Sequence, residues 1–399
     1  MLYRNMPKVK EALSILGFGC MRLPVRENGR IDRPRAMAQI RHAIDSGVNY
    51  LDTAWPYHGG ESEKVVGDVL KNGYRDKAFA ATKLPSWMVK SRGHMDEFLD
   101  QQCRNLGTDP IDFYLIHNLA GPMWERLRQM DVLDFMDQAK KNGRIRYAGF
   151  SFHGRVDDFK TIVDDYDWDF CQIQYNYLDE HHQAGTEGLK YAARKDLGVI
   201  VMEPLRGGNL GVPQPPPEVA RIWERGQVAR TPVEWALRWV WDRPEVTVVL
   251  SGMNEEAHVA ENLKIAASAF PNSLTPLEKD LVKQAADNYR RLMAVNCTGC
   301  EYCKPCPEGV NISGAFEILN KLHLFKNEPE ARFMYAVRCG DIFSGGQLGY
   351  ASQCIQCGEC LDKCPQGIAI PDMLEQVVAD LEDDKTLERL AMGKKLLNM

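Results

Sequence analysis

Eight of the twelve cysteines in this chain of 399 residues fall in two short, evenly spaced runs near the C-terminus. The first run, which precedes a proline, consists of Cys297, Cys300, Cys303 and Cys306. The second, which also precedes a proline, consists of Cys354, Cys357, Cys360 and Cys364. In two-cluster ferredoxins, three closely spaced thiolates bind one cubane cluster, and a fourth cysteine before a proline binds the other cluster. The runs therefore predict two [4Fe–4S] clusters.

This ligation pattern assigns the ligands of each cluster across both runs. One cluster is predicted to be held by Cys297, Cys300, Cys303 and Cys364. The other is predicted to be held by Cys354, Cys357, Cys360 and Cys306. The second run matches the ferredoxin spacing in full, whereas the first has two residues, and not three, before its last cysteine.

A pair of zinc sites is the alternative, because two cysteines separated by two residues also suit tetrahedral zinc. Zinc requires neither a third and fourth cysteine at this spacing nor the proline that follows. The runs therefore favour iron–sulfur clusters over zinc.

Four residues of acid–base type follow β-rich segments in the first third of the chain: Asp52, Tyr57, Lys83 and His117. Each residue alone has an ordinary structural explanation, such as a helix cap for Asp52 or a surface charge for Lys83. Together they lie at or just after the ends of three consecutive predicted strands. That combination indicates a catalytic site.

Eight β-rich segments alternate with longer segments whose apolar residues recur every three to four positions. The predicted strands are Ile15–Gly17, Tyr50–Asp52, Ala78–Lys83, Ile111–His117, Ile145–Phe150, Phe170–Tyr175, Val199–Met202 and Val246–Leu250. Strand–helix alternation predicts parallel βαβ units, and eight units in about 250 residues indicate a (β/α)8 TIM barrel, an α/β fold. A doubly wound sheet is the alternative, but Gly17-Phe18-Gly19 lacks the third glycine of a dinucleotide fingerprint.

Over residues 1–267 the sequence resembles the aldo-keto reductases. The resemblance is carried by the N-terminal hairpin and by the segments Tyr50–Ala54, Asp112–His117 and Gly252 with Glu261 and Asn262. The four acid–base residues fall on the family's catalytic tetrad. The resemblance implies NAD(P)H-dependent reduction of an aldehyde or ketone, or the reverse oxidation of an alcohol.

The residue types fit this reaction. A carbonyl group that accepts a hydride needs an oriented proton donor, which Tyr57 can be. An unperturbed phenol has a pKa of about 10, and a neighbouring cation such as Lys83 lowers it. Asp52 would hold Lys83 in place, and His117 would hydrogen-bond the substrate oxygen and orient it.

The resemblance also implies contacts to a nicotinamide coenzyme, NADP(H) or NAD(H). Ser151 and Gln172 match residues that bind the nicotinamide carboxamide, but Phe152 stands where the family has an asparagine. Met202 stands where an aromatic residue usually stacks on the nicotinamide. The other expected contacts are Gly19, Cys20, Met21, Leu205, Gly207, Ser251, Gly252, Asn254, Glu261 and Asn262.

The helix that follows Ser251-Gly252 should bind a phosphate at its N-terminus. The family often has an arginine there for the 2′-phosphate of NADPH, whereas this chain has Asn254 followed by Glu255 and Glu256. Acidic residues at a helix start commonly reflect favourable pairing with the helix dipole, but they would repel a 2′-phosphate. The choice of NADPH over NADH therefore rests on the resemblance alone.

Three segments are predicted: the barrel over 1–270, a linking helix over 271–291, and a mostly helical ferredoxin-type domain with two clusters over 292–399. A hydrophobic content of 44% with 26% charged residues is typical of a globular protein with a large core. The formal net charge of -6 argues against nucleic acid as a partner. The sequence contains neither a signal peptide nor an apolar run that could span a membrane, so reduced cysteines and a cytoplasmic location are expected.

The sequence therefore predicts an oxidoreductase that acts on a small carbonyl or alcohol substrate. Its clusters would exchange single electrons with a ferredoxin or flavoprotein partner. The alternative is an electron-transfer or partner-docking iron–sulfur protein with a catalytically idle barrel, which Phe152 and Met202 leave open. A third interpretation is that the clusters serve only a structural role.

Overall fold

Within residues 1–340 and 347–396, which this computed structural model describes, eight parallel strands close into a barrel. A two-stranded antiparallel hairpin precedes it, formed by β1 (Tyr3–Asn5) and β2 (Ala12–Ser14). The barrel strands are β3 (Leu16–Gly19), β4 (Tyr50–Asp52), β5 (Phe79–Leu84), β6 (Ile111–Leu119), β7 (Ile145–Phe152), β8 (Phe170–Gln174), β9 (Gly198–Met202) and β10 (Val246–Ser251). Neighbours follow the chain order, and β10 pairs with β3 to close the barrel. The predicted TIM barrel is confirmed.

Helices lie between successive strands of the barrel, and one more helix, α10, follows the last strand. They are α1 (Arg33–Asp45), α2 (Ser62–Leu70), α3 (Arg92–Leu106), α4 (Gly121–Arg128), α5 (Val132–Lys141), α6 (Val156–Asp164), α7 (Gly185–Arg194), α8 (Pro217–Trp223), α9 (Pro232–Trp241) and α10 (Glu256–Ala266). Local sequence explains several starts: the side chains of Ser91 and Thr231 accept hydrogen bonds from backbone N–H groups in the first turns of α3 and α9. The apolar residues of α3 recur at helical spacing and are buried.

Aromatic and branched side chains fill the interior of the barrel. Tyr50 and Phe170 both pack against Phe113, with ring centroids 5.0 and 5.3 Å apart. Met6 and Leu13, from the N-terminal hairpin and its turn, belong to the same buried cluster. The interior is therefore a packed core, and chemistry is left to the ends of the strands.

Five strands run past their predicted ends, by two residues in β3, β6 and β7 and by one residue in β5 and β10. β6 continues past His117 to Leu119, and β7 continues to Phe152. The pairing between these strands shifts after Ile116 and resumes where Leu119 pairs with Phe152. Asn118 lies at this irregularity and has a φ of 56°. Asparagine tolerates this left-handed conformation better than most residues. Periodicity alone does not reveal such a bulge.

The C-terminal part of the chain is helical. Its helices are α11 (Pro276–Leu292), α12 (Ile312–Phe325), α13 (Glu328–Arg338), α14 (Ile370–Leu381) and α15 (Thr386–Leu396). Apolar side chains of α12, α13 and α14, among them Phe316, Tyr335 and Leu374, form one buried cluster. Six of the run cysteines pack against this cluster: Cys297, Cys303, Cys306, Cys354, Cys360 and Cys364.

Two compact units divide the chain, and they do not follow its order. One contains Met1–Leu205 and Arg230–Lys279, and the other contains Arg206–Ala229 with the residues from Asp280 onward. This grouping does not test the predicted domain boundaries at residues 270 and 291, which stay a proposal. In the described part of the chain, no helix combines the length and apolar character of a membrane span.

Inside the second unit, the turn that follows Leu205 is tied to the first cysteine run. Arg206 is fully buried, and its Nη1 lies 3.3 Å from the Sδ of Met293. Gly207 has a φ of +69°, and a Cβ there would lie 2.0 Å from the carbonyl oxygen of Thr298. Only glycine fits this backbone position.

Candidate active site

A buried ion pair joins the ends of β4 and β5. The Nζ of Lys83 lies 2.8 Å from each carboxylate oxygen of Asp52 and 2.7 Å from the carbonyl oxygen of Thr53. The side chain of Lys83 is 0% exposed and that of Asp52 is 4% exposed. Burial raises the pKa of Asp52, and the Lys83 ammonium opposes that rise. Three oxygens thus surround the ammonium group and hold it in one position.

Tyr57 lies beside this pair. It opens a short 3-10 turn, Tyr57–Gly60, in which His58 and Gly59 have φ values of 52° and 63°. These left-handed residues turn the chain sharply after Tyr57. The centre of the Tyr57 ring lies 5.2 Å from the Nζ of Lys83 and 6.0 Å from the centre of the His117 ring. The structure thus brings the four predicted acid–base residues together.

His117 lies near the end of β6 and is 2% exposed. Burial lowers its pKa well below the usual value, and the nearby Lys83 and His153 lower it further. The imidazole is therefore neutral around pH 7, and it can donate a hydrogen bond without carrying a charge. The ring of Trp87 lies 5.1 Å from that of His117, so an aromatic side chain borders the site.

A polar network behind Lys83, which the sequence analysis missed, holds the end of β5. The Nε2 of Gln102 donates to the carbonyl oxygen of Lys83 at 2.9 Å and to the Oε1 of Glu63 at 2.8 Å. Thr82 also donates to that Glu63 oxygen, at 2.6 Å, and Tyr114 donates to the Oε1 of Gln102. Glu63, Thr82 and Gln102 are fully buried. The signal for this network in the sequence was that Glu63 and Gln102 are polar residues on otherwise apolar helix faces.

Two of the predicted coenzyme contacts are neighbours on adjacent strands. Ser151 of β7 pairs in register with Gln172 of β8. The Oγ of Ser151 accepts a hydrogen bond from the N–H of Asn118 at 2.8 Å, and the Nε2 of Gln172 lies 3.6 Å from the Sδ of Met202. The Oε1 of Gln172 is buried and has no hydrogen-bond partner among the described residues. An unsatisfied buried acceptor fits a nicotinamide carboxamide, which carries N–H donors.

Phe152, at the family's asparagine position, has a structural role. It is fully buried, and its ring centroid lies 5.1 Å from that of Phe159 in α6. Because side chains alternate along a strand, Phe152 lies on the helix side of β7 and Ser151 on the other side.

The predicted phosphate contacts lie where β10 meets α10. The Nδ2 of Asn262 donates to the Oγ of Ser251 at 2.9 Å, and both residues are buried. Thr231 donates to the Oε1 of Glu261 at 2.7 Å, and Gly252 lies close to the side chain of Arg22. Asn262 thus ties the middle of α10 to the end of β10, and Glu261 ties it to Thr231, which precedes α9.

The acidic residues at the start of α10 carry a counter-charge. Arg35 of α1 forms ion pairs with both Glu255 and Glu256. These two carboxylates alone would repel a phosphate, and the guanidinium group of Arg35 offsets their charge. Asn254 accepts a hydrogen bond from Gln39 through its backbone oxygen, at 3.4 Å.

The remaining predicted coenzyme contacts lie in turns. Gly19 ends β3 and leads into a 3-10 turn that contains Cys20 and Met21. The carbonyl oxygen of Cys20 accepts a hydrogen bond from Ser62 at 3.0 Å. Leu205 follows β9 in the first unit, whereas Gly207 belongs to the second unit.

A second polar group was also missed. Asp179, Gln174, Gln183 and His153 form a chain of hydrogen bonds beyond the ends of β7 and β8. The signal was present in the sequence, because His153 and Gln174 each lie two positions after a predicted coenzyme contact and so share its face of the strand.

The C-terminal cysteines group across the two runs. Burial, together with the neighbouring Cys297 and Cys364 thiols, raises the pKa of Cys303 to about 12. Cys364 of the second run therefore lies beside the first run.

A second group of cysteines surrounds Cys360 of the second run. Burial raises the pKa of Cys360, and its neighbours Cys354, Cys306 and Cys357 add to the rise. A cavity is lined by all four of these residues. In the described residues, no three His, Cys, Asp or Glu side chains are arranged to bind a single metal ion. A [4Fe–4S] cluster is larger than an ion and takes four cysteines, so both donor sets fit a cluster.

The family model "Aldo/keto reductase family" matches residues 15–274. The model "4Fe-4S dicluster domain" matches residues 296–369. The chain therefore joins an aldo/keto reductase region to a 4Fe-4S region, in the order that the sequence analysis predicts.

Individual relatives agree with the first of these matches. An oxidoreductase of Bacillus subtilis described as uncharacterized, YqkF, is 27% identical over 206 residues, which are 50% of this chain and 63% of that protein. A putative voltage-gated potassium channel subunit beta of Schizosaccharomyces pombe is 28% identical over 59% of this chain and 80% of its own length. Among solved structures, the holo form of an aldo-keto reductase from Bacillus halodurans matches with a TM-score of 0.60 and 26% identity, over 71% of this chain and 96% of that one.

We expect Asp52→Asn to destabilise the first unit strongly, because it leaves the Lys83 ammonium buried without its counter-charge. Breaking a buried pair by removing one partner costs about 3–5 kcal/mol. The double variant Asp52→Asn with Lys83→Met, which removes both charges, should recover much of that loss. Urea unfolding followed by circular dichroism measures both effects. A single variant as stable as the wild type would show that the pair is not buried as described.

Proposed function

The chain belongs to the aldo/keto reductase family, and we propose that it is an NAD(P)-dependent oxidoreductase that reduces the carbonyl group of an aldehyde or ketone, or catalyses the reverse oxidation. The observation that carries the proposal is the buried Asp52–Lys83 pair beside Tyr57 and a neutral His117. A fixed cation next to a phenol stabilises the phenolate that is left when the phenol gives up its proton. A fold that needed only stability would do as well with apolar residues at these positions.

In the proposed mechanism the substrate oxygen lies between Tyr57 and His117. When bound, the reduced nicotinamide supplies a hydride to the carbonyl carbon. Negative charge then develops on the substrate oxygen, and the hydroxyl of Tyr57 donates a proton to it. The Lys83 ammonium stabilises the phenolate that remains.

His117 has a different task in this mechanism. Its lowered pKa keeps the ring neutral, so it does not compete with Tyr57 as a proton source near pH 7. As a neutral donor it can hydrogen-bond the substrate oxygen and orient the carbonyl group. Asp52 acts through Lys83 and is a positioning residue.

NADP(H) or NAD(H) is the proposed coenzyme. Ser151 and Gln172 would hold its carboxamide, which is supported by the buried acceptor of Gln172. Ser251, Gly252 and Asn254 would lie toward its phosphates. The pairing of Arg35 with Glu255 and Glu256 reduces the expected repulsion of a 2′-phosphate, although such exposed pairs are individually weak.

We further propose that the C-terminal region holds two [4Fe–4S] clusters. One would use Cys297, Cys300, Cys303 and Cys364. The other would use Cys354, Cys357, Cys360 and Cys306. Each cluster exchanges single electrons, whereas a hydride carries two, so the clusters are proposed to serve a separate one-electron partner such as a ferredoxin or flavoprotein. Thiolate ligands require a reducing compartment, which supports a cytoplasmic location.

The alternative of an idle barrel finds no support in the geometry of the four acid–base residues. Phe152, one of the two departures that left this alternative open, contacts a helix. Met202, the second departure, contacts the Nε2 of Gln172 through its Sδ, and Gln172 keeps its place in β8.

We predict that Tyr57→Phe lowers carbonyl reduction by about 10²–10⁴-fold, because only the proton donor is lost. Binding of the nicotinamide coenzyme, measured by fluorescence titration, should stay close to normal. Tyr50→Phe is the matched control: Tyr50 is buried in the core of the barrel, and its hydroxyl has no hydrogen-bond partner among the described residues. Undiminished reduction by the Tyr57 variant would exclude the proposed proton donor.

Protein purified without oxygen should contain about eight iron and eight sulfide per chain, as two cubane clusters require. Iron and acid-labile sulfide analysis measures both, together with the ultraviolet–visible spectrum. Cys339→Ser is the matched control, because Cys339 is buried and lies outside both runs. It should leave the iron content unchanged, whereas Cys360→Ser should lower it. Tightly bound zinc, with no iron after anaerobic reconstitution, would contradict the cluster proposal.

A further inference from the structure

Tyr57 lies on a turn that is not held by burial. The chain leaves β4 at Asp52, and Tyr57 follows at the start of the 3-10 turn Tyr57–Gly60. The structure describes every residue of this turn, and none of them is buried. A general acid must stay within hydrogen-bond reach of the atom that it protonates. The turn therefore needs anchors in other parts of the chain.

His58, the residue next to Tyr57, supplies one anchor. Its Nε2 accepts a hydrogen bond from the backbone N–H of Leu23, at 3.0 Å. Leu23 directly follows the 3-10 turn Cys20–Arg22 and is 3% exposed, so its backbone is a fixed point. The neighbour of the proposed proton donor is thus tied to the segment that follows β3.

The direction of this hydrogen bond determines where the ring carries its proton. The backbone N–H of Leu23 can only donate, so the ring nitrogen that faces it must be an acceptor. The proton of the neutral ring is then on Nδ1. Burial lowers the pKa of His58, and a hydrogen bond with the backbone of Met21 opposes that change. Around pH 7 the ring is therefore neutral, and the acceptor is available.

Ser62 closes the loop that carries Tyr57. Its Oγ donates to the carbonyl oxygen of Cys20 at 3.0 Å and lies 2.8 Å from the Oγ1 of Thr53. The carbonyl oxygen of Thr53 in turn accepts a hydrogen bond from Lys83. The two ends of the loop, at Thr53 and Ser62, are thus joined to each other, to the segment after β3 and to the buried ammonium group.

The middle of this loop is less constrained than its ends. Thr53 and Ser62 are fully buried, whereas Tyr57 and His58 are half-buried. Freedom of the backbone therefore increases toward Tyr57, and the hydrogen bond of His58 restricts it there. This restriction affects the reaction rate, because a displacement of about 1 Å in a reacting group can cost about 10²-fold.

We propose that His58 is a positioning residue, which holds Tyr57 in place for proton transfer by accepting a hydrogen bond from the backbone of Leu23. This assignment rests on the proposed function, in which Tyr57 is the proton donor. His58 acts through Tyr57 and does not itself supply the proton.

The test compares two substitutions of similar size. His58→Gln can keep an acceptor toward Leu23 through its Oε1, whereas His58→Leu cannot. The anaerobic full-length protein is assayed with NADPH and NADH on a panel of aliphatic and aromatic aldehydes and ketones. His58→Leu should lower kcat by about 10–10²-fold and leave the dissociation constant of the coenzyme close to that of the wild type. His58→Gln should recover most of the lost activity.

A double variant separates positioning of Tyr57 from a general structural role. In the Tyr57→Phe protein the proton donor is already absent, so adding His58→Leu should lower the rate no further. An equal loss from His58→Leu with and without Tyr57 would overturn the assignment and leave the proposed function intact. Wild-type activity of His58→Leu would overturn it as well. Failure of the wild-type protein to reduce any member of the panel would overturn the proposed function itself.

Nitrogen-15 NMR of histidine-labelled wild-type protein tests the hydrogen bond without a substitution. The His58 signals, identified by their absence from the His58→Gln spectrum, should be those of a neutral ring protonated on Nδ1. A proton on the Nε2 of His58 at pH 7 would overturn the proposal, because that nitrogen could not then accept from Leu23.

Discussion

The ammonium group of Lys83 has no access to solvent. Oxygen atoms of the barrel must therefore replace the hydrogen bonds that water would otherwise make to it. Removing a charge from water costs several kcal/mol even after the protein relaxes. Asp52 and the backbone oxygen of Thr53 supply three acceptors in return. Because these oxygens belong to one strand end and the ammonium to the next, the pair requires the register of β4 and β5. The pair therefore forms only where β4 and β5 are paired as they are here.

The surroundings of this pair divide into regions of different polarity. On one side, Tyr57, His117 and Trp87 form an aromatic boundary with one neutral imidazole. Behind it, Glu63 and Gln102 anchor the backbone of β5 through buried hydrogen bonds. At the ends of β7 and β8, the buried side chains of Ser151, Gln172 and Gln174 are polar and uncharged. The four acid–base residues thus belong to the first unit, and both cysteine runs belong to the second.

Much of this arrangement could be predicted from the sequence. The strands and the four acid–base residues are visible because barrel strands are short apolar runs, and polar residues at their ends stand out against them. The ferredoxin ligation pattern predicts the grouping of the cysteines across the two runs. What the sequence could not reveal depends on contacts between distant segments. Arg35 lies 220 positions from Glu255, and the role of Gln102 depends on how α3 packs against β5. His153 lay within reach of the alternation rule, because it follows Ser151 by two positions.

An isotope label tests most directly whether the first unit reduces its substrate by hydride transfer. A coenzyme deuterated at the hydride position of its nicotinamide is incubated in ordinary water with the anaerobic protein and an aldehyde or ketone that it reduces. The alcohol is then examined by mass spectrometry and proton NMR. If the barrel transfers a hydride from the coenzyme, one deuterium appears on the former carbonyl carbon. An alcohol whose new carbon-bound hydrogen comes from the solvent would mean that electrons reached the substrate singly, and would contradict the account.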